Sequence, residues 1–356
     1  MPEQTQIYII TDSITNSVFE GLVLAPILKK LDQNPALNII LFSFESNILH
    51  REEKKKTKNI HERLKIKLFY RPHFWGRFTL RVCILTLQHN LQNLSNYTIT
   101  ARGALAGWIA LRGISPDCSH ITIQARGLLA EEYWYANRSK LWQLPITWVR
   151  YRQFKALERK TYQKLIPAMS QPTTIEVVSK AMKQHFIDIY KIDTKFISIA
   201  SQDIPPIVAA TKIQMWHKQI REQLNVPHDR YVYCYAGSGK TWQCPEKIIQ
   251  FFTKELKNNS KSYLLILSQD AKVFQEFCDT ANLKPTDYHI THVPHDELFQ
   301  YMSAADAGLI FRENHILNWV SRPTKILEYQ SVGLKIIHNN TVEILTHAQQ
   351  QCQINR

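Results

Sequence analysis

Short apolar runs alternate with longer amphipathic stretches along almost the whole chain, and this rhythm restricts the fold more than any other feature. The first half holds the runs QIYIITDS, ALNIILFSFES, NYTITARG, HITIQARG and TIEVVS; the second holds RYVYCYAG, SYLLILSQ, YHITHV, AGLIFRE and LKIIHN. Between them lie segments of helical period such as LVLAPILKKL, KAMKQHFIDIY, AKVFQEFCDTANL and TKILEYQSV. Strands covered on both faces read as continuous apolar runs, and helical returns keep successive strands parallel. A length of 356 residues suits two such domains. The proline-bearing QDIPPIVAA falls between the two sets. The expected organisation is α/β: a Rossmann-like domain over 1–203, a linker over 204–226 and a second Rossmann-like domain over 227–356. In such sheets ligands sit beyond the carboxyl ends of the strands, so the loops that follow strands are where chemistry belongs.

One such loop is CYAGSGKTWQ, residues 234–243. It resembles the end of a nucleotide-binding P-loop, but the first glycine of that motif would stand at Cys234. Trp242, Gln243, Cys244 and Pro245 also interrupt the expected run into helix, and Pro245 suits a first helical turn. A strand, a Gly-Ser-Gly turn, a lysine and then a helix can hold an anion through backbone N–H groups without being a P-loop.

The charge is uneven. The chain carries +14, and residues 1–203 hold 28 Lys and Arg against 16 Asp and Glu, whereas residues 204–356 hold 16 against 14. The first half should therefore attract an anionic partner: a phospholipid surface, a lipid-phosphate acceptor or nucleic acid. The segment KLWQLPITWVRYRQFKALERKTYQKL mixes Trp142, Trp148, Tyr151 and Phe154 with arginines and lysines. It reads either as a core-facing helix with a charged outer face or as a membrane-surface patch. No nucleic-acid fold signature accompanies it. The six cysteines are scattered with no Cys-x-x-Cys, which fits a reducing cytoplasm and gives no zinc site or disulfide framework. No signal peptide and no spanning run of about 18 apolar residues is visible.

Residues 291–337, THVPHDELFQYMSAADAGLIFRENHILNWVSRPTKILEYQSVGLKII, resemble the donor half of the family 4 glycosyltransferases. YAGSGKTW, DSITNSVFEG, ITIQARGLLAEE and IEVVSKAMKQHF are similar to further phrases of that family, in the same order. The resemblance implies the GT-B fold, two Rossmann-like domains with parallel sheets facing a cleft. It also implies retaining transfer of a hexosyl group from a nucleotide-diphosphate sugar, with no metal and no other cofactor. The implied acceptor is a lipid-linked or cell-envelope glycan, and the implied place is the cytoplasm, peripheral on the inner face of the membrane. Many members carry a glutamate eight residues before the one matching Glu328, where this chain has Val320, and they continue further past GLKIIHN. The alternative is a catalytically inactive nucleotide-sugar-binding or scaffold protein of the same fold; a nucleic-acid-binding protein is more distant.

The implied donor residues are Gly21, Ser238, Lys240, His295, Ser321, Thr324, Lys325 and Glu328, and the implied catalytic pair is Arg126 and Glu132. The residue types fit. Departing diphosphate needs cations and a helix start, and SRPTKILEYQ offers Ser321 as an N-cap, Pro323 in the first turn, Lys325 as the cation and Gly333 as the stop. Glu328, a turn further on, suits ribose hydroxyls. Lys240 would supply a second point charge. Arg126 and Glu132 read equally as a structural ion pair, with Arg102 a weaker copy of Arg126. Gly21 reads equally as a plain turn glycine, and His295 as a base-contacting or turn residue.

Overall fold

The computed structural model describes residues 4–15, 19–47, 57, 59–139, 141–201 and 205–346, apart from the side chains of Leu141 and His295. The tail from 347 on, with Cys352, and most of the basic segment 48–58 lie outside that description, as do parts of the 12–21 loop and the start of the expected linker. The chain forms two compact units, Met1–Ala200 and Ser201–Arg356.

The first unit is a seven-stranded sheet in the order β3-β2-β1-β4-β5-β6-β7, every pairing parallel. Its strands are β1 (Gln4–Ile10), β2 (Leu37–Glu45), β3 (Leu64–Tyr70), β4 (Tyr97–Arg102), β5 (Cys118–Ala125), β6 (Thr173–Val177) and β7 (Ile197–Ile199). The helices are α1 (Ala25–Gln33), α2 (Arg81–Leu91), α3 (Gly103–Gly113), α4 (Leu129–Asn137), α5 (Leu144–Arg159) and α6 (Lys180–Tyr190). A wider helical turn, Glu20–Leu24, leads directly into α1. Val23, Ile27 and Leu31 recur every four residues and bury one stripe against Tyr8, Ile10, Ile39 and Leu41. Gly21 therefore lies inside this helical turn, exposed and with open space around it, instead of forming the strand-to-helix turn. Ser179 caps α6 by accepting the N–H of Met182.

The second unit is a five-stranded parallel sheet in the order β10-β9-β8-β11-β12. Its strands are β8 (Tyr231–Ala236), β9 (Ser262–Leu267), β10 (Tyr288–Thr291), β11 (Ala307–Ile310) and β12 (Lys335–His338). Its helices are α7 (Ala210–Gln223), α8 (Pro245–Asn258), α9 (Ala271–Thr280), the short α10 (Leu298–Met302) and α11 (Ile316–Trp319), and α12 (Thr324–Ser331). Side chains alternate across the sheet. Val232, Cys234 and Ala236 pack against Met302 and Tyr329, while Tyr233 and Tyr235 face Ile248, Phe252 and Phe274. The stretch 204–226, expected as a linker, carries α7, which belongs to the second unit through buried Ile220 and Arg221. Arg221 donates to the carbonyls of Ala304, His228 and Arg230 and to Asp306, so a helix that looks charged in sequence is pinned from within.

Candidate functional site

In the second unit the chain leaves β8 towards β9 on one side and returns to β11 on the other, which makes the edge between β8 and β11 the switch point. These two strands pair only at Ala307↔Tyr233 and Gly308↔Cys234, whereas β8 and β9 pair along six positions. Beyond those pairs Tyr329 of α12 enters the gap. Its hydroxyl accepts the Ala236 N–H at 3.0 Å and lies 3.3 Å from the Cys234 carbonyl and 3.4 Å from that of Leu309. A Cβ at residue 308 would overlap the Tyr329 ring, so only glycine fits there.

The Gly-Ser-Gly turn follows β8. Gly237 has φ +142°, and a Cβ on it would collide with the end of the Lys325 side chain. Lys325 comes from the first turn of α12 and lies across that turn, only 8% exposed. Its ammonium donates to Gln243 Oε1 at 2.8 Å and to the Tyr235 hydroxyl at 3.0 Å, and stands 4.2 Å from the centre of the Tyr235 ring. Tyr235 in turn donates to the Ser238 carbonyl at 2.8 Å. From the other side Asp270 accepts the Gly239 N–H at 2.8 Å. Burial holds the Lys325 pKa well below the usual lysine range; Arg312 lowers it further, and Glu328 and Cys234 oppose the shift. Arg312 follows β11 and is buried, with its backbone clasped by the Asn339 side chain. A glycine turn, the buried basic side chains Lys325 and Arg312 and a helix start thus come together at one switch point, the kind of place where an anion can be held at low dielectric.

The other expected donor residues fall as follows. Thr324 is exposed at the start of α12 and Glu328 is half-buried on the same helix, close enough to act on Lys325. Lys240 is exposed and stands 5.2 Å from the centre of the Trp242 ring. Ser321 is not the N-cap. Its hydroxyl donates to the Asn318 carbonyl and closes the preceding turn, because Pro323 holds extended backbone and delays the helix to Thr324. Gly333, at φ +72°, does end α12. His295 begins a short turn, His295–Glu297, and its side chain lies outside the description. Sequence reasoning missed Tyr235, Gln243, Asp270 and Arg312. Only Arg312 carried a local signal, a charge directly after the apolar AGLIF.

The first unit has its own switch point between β1 and β4. Glu132 of α4 folds back over Gly127, where any Cβ would meet its carboxylate. Its side chain reaches solvent yet is densely surrounded, and desolvation raises its pKa above the usual carboxylate range; Asp12 adds to the shift and Arg102 opposes it. The cation acting on Glu132 is thus Arg102, at the end of β4, while Arg126 forms an ion pair with Glu176 of β6 at 2.9 Å. Helix α4 is anchored from below by Glu158 of α5, which is fully buried. Glu158 accepts the N–H groups of Leu129 and Ala130 and the hydroxyl of Tyr190 at 3.1 Å, and burial pushes its pKa up to about 7.

Helix α5 divides its aromatic residues. Phe154 and Leu157 are buried, Tyr151 donates to Glu131, and Trp148 stands 53% exposed under Arg152. Phe78 is 74% exposed, and the segment before α2 meets α5 through the Phe74–Phe154 stack and through Arg150 on the Trp75 ring. One face of this unit therefore presents aromatic and cationic side chains together. Among the described residues no helix is long and apolar enough to cross a membrane.

At the level of sequence no family pattern and no curated protein matches the chain. Solved structures do. WaaG, a glycosyltransferase involved in lipopolysaccharide biosynthesis, matches with a TM-score of 0.61 and 13% identity over 98% of this chain and 84% of its own. HepE of Anabaena, solved in complex with UDP and glucose, matches with 0.62 and 11% over 97% and 83%. Sucrose-phosphate synthase of Thermosynechococcus elongatus matches with 0.62 and 15% over 96% and 82%. With two parallel sheets of seven and five strands, the fold is GT-B.

Proposed function

We propose that this GT-B protein is a glycosyltransferase that moves a hexosyl group from a nucleotide-diphosphate sugar to a lipid-linked or cell-envelope glycan, with retention and without a metal. The observation that carries the reading is the Lys325 ammonium laid over the Gly237 turn at the switch point of the second unit. As the bond from the sugar to the diphosphate breaks, negative charge gathers on the diphosphate. Lys325, Arg312 and the start of α12 supply the opposing charge where it is worth most, out of bulk water. Glu328, one turn into α12, takes the ribose hydroxyls. Glu132, with its raised pKa and solvent access, handles the acceptor hydroxyl in the basic first unit. The exposed Trp148 and Phe78 among arginines suit attachment to the inner face of an anionic membrane. A binding-only protein remains the second reading, because Val320, standing where many family members have a glutamate, is fully buried and carries no polar group.

The test has two stages. Thermal stability is measured against nucleoside diphosphates and their sugars, since a ligand of the native state raises the melting temperature by mass action. The stabilising sugar nucleotide is then followed for release of nucleoside diphosphate, alone and with envelope lipid extracts. Release on adding acceptor supports the transferase; tight binding with no turnover of any donor supports the binding protein; no stabilisation by any nucleotide sinks both.

A further inference from the structure

One polar cavity plays no part in the donor site. It lies in the first unit at the carboxyl ends of β2 and β3, measures about 170 Å³, and has Ser46, Arg71, His73 and Arg150 against Phe74 and Phe154. That is roughly ten times the space one water needs. Arg71 is buried, yet its hydrogen bonds are long: 3.4 Å to the Phe44 carbonyl, 3.4 Å to that of Pro72 and 3.5 Å to that of Thr11. Arg221 of the second unit shows what a buried arginine with a purely structural task looks like, with four bonds between 2.8 and 3.2 Å and a carboxylate partner. Arg150 rests its guanidinium 4.1 Å from the centre of the Trp75 ring, and its buried Nε has no hydrogen-bond partner. Stacking occupies the face of a guanidinium and leaves its in-plane N–H fork for an anion. Asp12 and Glu45 act on Arg71 electrostatically, and neither lines the cavity.

We propose that this cavity is a phosphate pocket that takes the phosphate group of a phosphorylated acceptor, with Arg71 and Arg150 as its two forks and the Ser46 hydroxyl as a further donor. Paired guanidinium groups match the oxygens of a phosphate in geometry as well as in charge. As an anion pocket the site stands by itself; its assignment to the acceptor rests on the transferase reading. The same group is carried by a soluble sugar phosphate and by a lipid headgroup.

The full chain is therefore titrated with glucose 6-phosphate by calorimetry, with UDP present to fill the donor site, and sedimented with vesicles of phosphatidic acid in phosphatidylcholine. UDP binding is measured in parallel. Three forms are compared: wild type, Arg150→Gln, and Arg112→Gln, which removes an exposed charge of the same unit at the end of α3. The expected result is that one of the two phosphate probes binds the wild type, loses about tenfold or more in Arg150→Gln and changes little in Arg112→Gln, with UDP binding equal in all three. Which probe binds identifies the source. Binding of neither probe, equal binding by wild type and Arg150→Gln, or an equal loss in both variants overturns the pocket. Loss of phosphate binding in Arg150→Gln in a protein that ignores UDP upholds the pocket and overturns the donor site instead.

Discussion

The two units share a topology and carry opposite chemistry at the same topological place. The switch point of the first unit, between β1 and β4, brings Glu132 under the influence of the carboxylate of Asp12 and the cation of Arg102. The switch point of the second, between β8 and β11, gathers Lys325 and Arg312 around a glycine turn. Net charge runs the other way, since the first half of the chain is strongly basic and the second nearly neutral. Domain charge thus reports on the surface and what it attracts, while site charge is decided by a few side chains on loops beyond the strands.

If the carboxylate pole does proton work, its loss should be the largest effect. Glu132→Gln is expected to lower turnover by about 10²–10⁴-fold while leaving nucleoside diphosphate affinity unchanged. In the wild type the activity carried by this base should fall as pH drops through its raised pKa, and initial rates over a pH series check both points. Equal loss of affinity and rate would break the division of labour.

Glu158 tests how the first pole is held. Its folded pKa, about 7, lies above the ordinary 4.5, so the protonated form is favoured by folding. The associated stability is fully present below the ordinary value and is lost as pH rises towards 7, by up to about 3 kcal/mol. Glu158→Gln, which keeps the acceptor oxygen, should flatten that decline in denaturant titrations at pH 5 and pH 8. An unchanged slope would show that Glu158 ionises freely.

The cation pole comes next in size. Lys325→Met should weaken nucleoside diphosphate binding by about 1.5–3 kcal/mol and leave the bare nucleoside nearly unaffected. Because the Lys325 pKa is depressed, diphosphate affinity in the wild type should fall as pH rises through that lowered value, and calorimetry in two buffers of different ionisation heat should record proton uptake on binding. The smallest effect belongs to Lys240→Ala, under about 1 kcal/mol on the same ligand, since that lysine is exposed and screened. A larger loss there than at Lys325 would move the phosphate to the other side of the turn.

The alternation of elements was legible because apolar runs and helical periods are local properties, and both sheets follow from it. Lys240 and Lys325 were equally visible as lysines near a phosphate loop. Only the fold separates them, because Lys325 meets Tyr235 and Gln243 across 90 and 82 residues of chain. Arg126 and Glu132 lie near each other in sequence but turn to different partners, since β5 delivers one to β6 while α4 carries the other back over Gly127. Ser321 looked like a cap from its residue type, and Pro323 two positions later shifted the helix start. The helix within 204–226 was hidden by its charged residues, because the burial of Arg221 depends on carbonyls from distant loops.

Tyr329 is a built-in spacer between β8 and β11. Its ring fills the space over Gly308, and its hydroxyl is tied to both strands. The two strands are held apart before any ligand arrives, like a clamp set on a spacer. For the nucleotide binding proposed above, beyond these strand ends, no separation of the strands has to come first, and the chain gives up little freedom in receiving the nucleotide. Capture there should therefore be fast, a property of the gauge the tyrosine sets more than of the ligand that arrives.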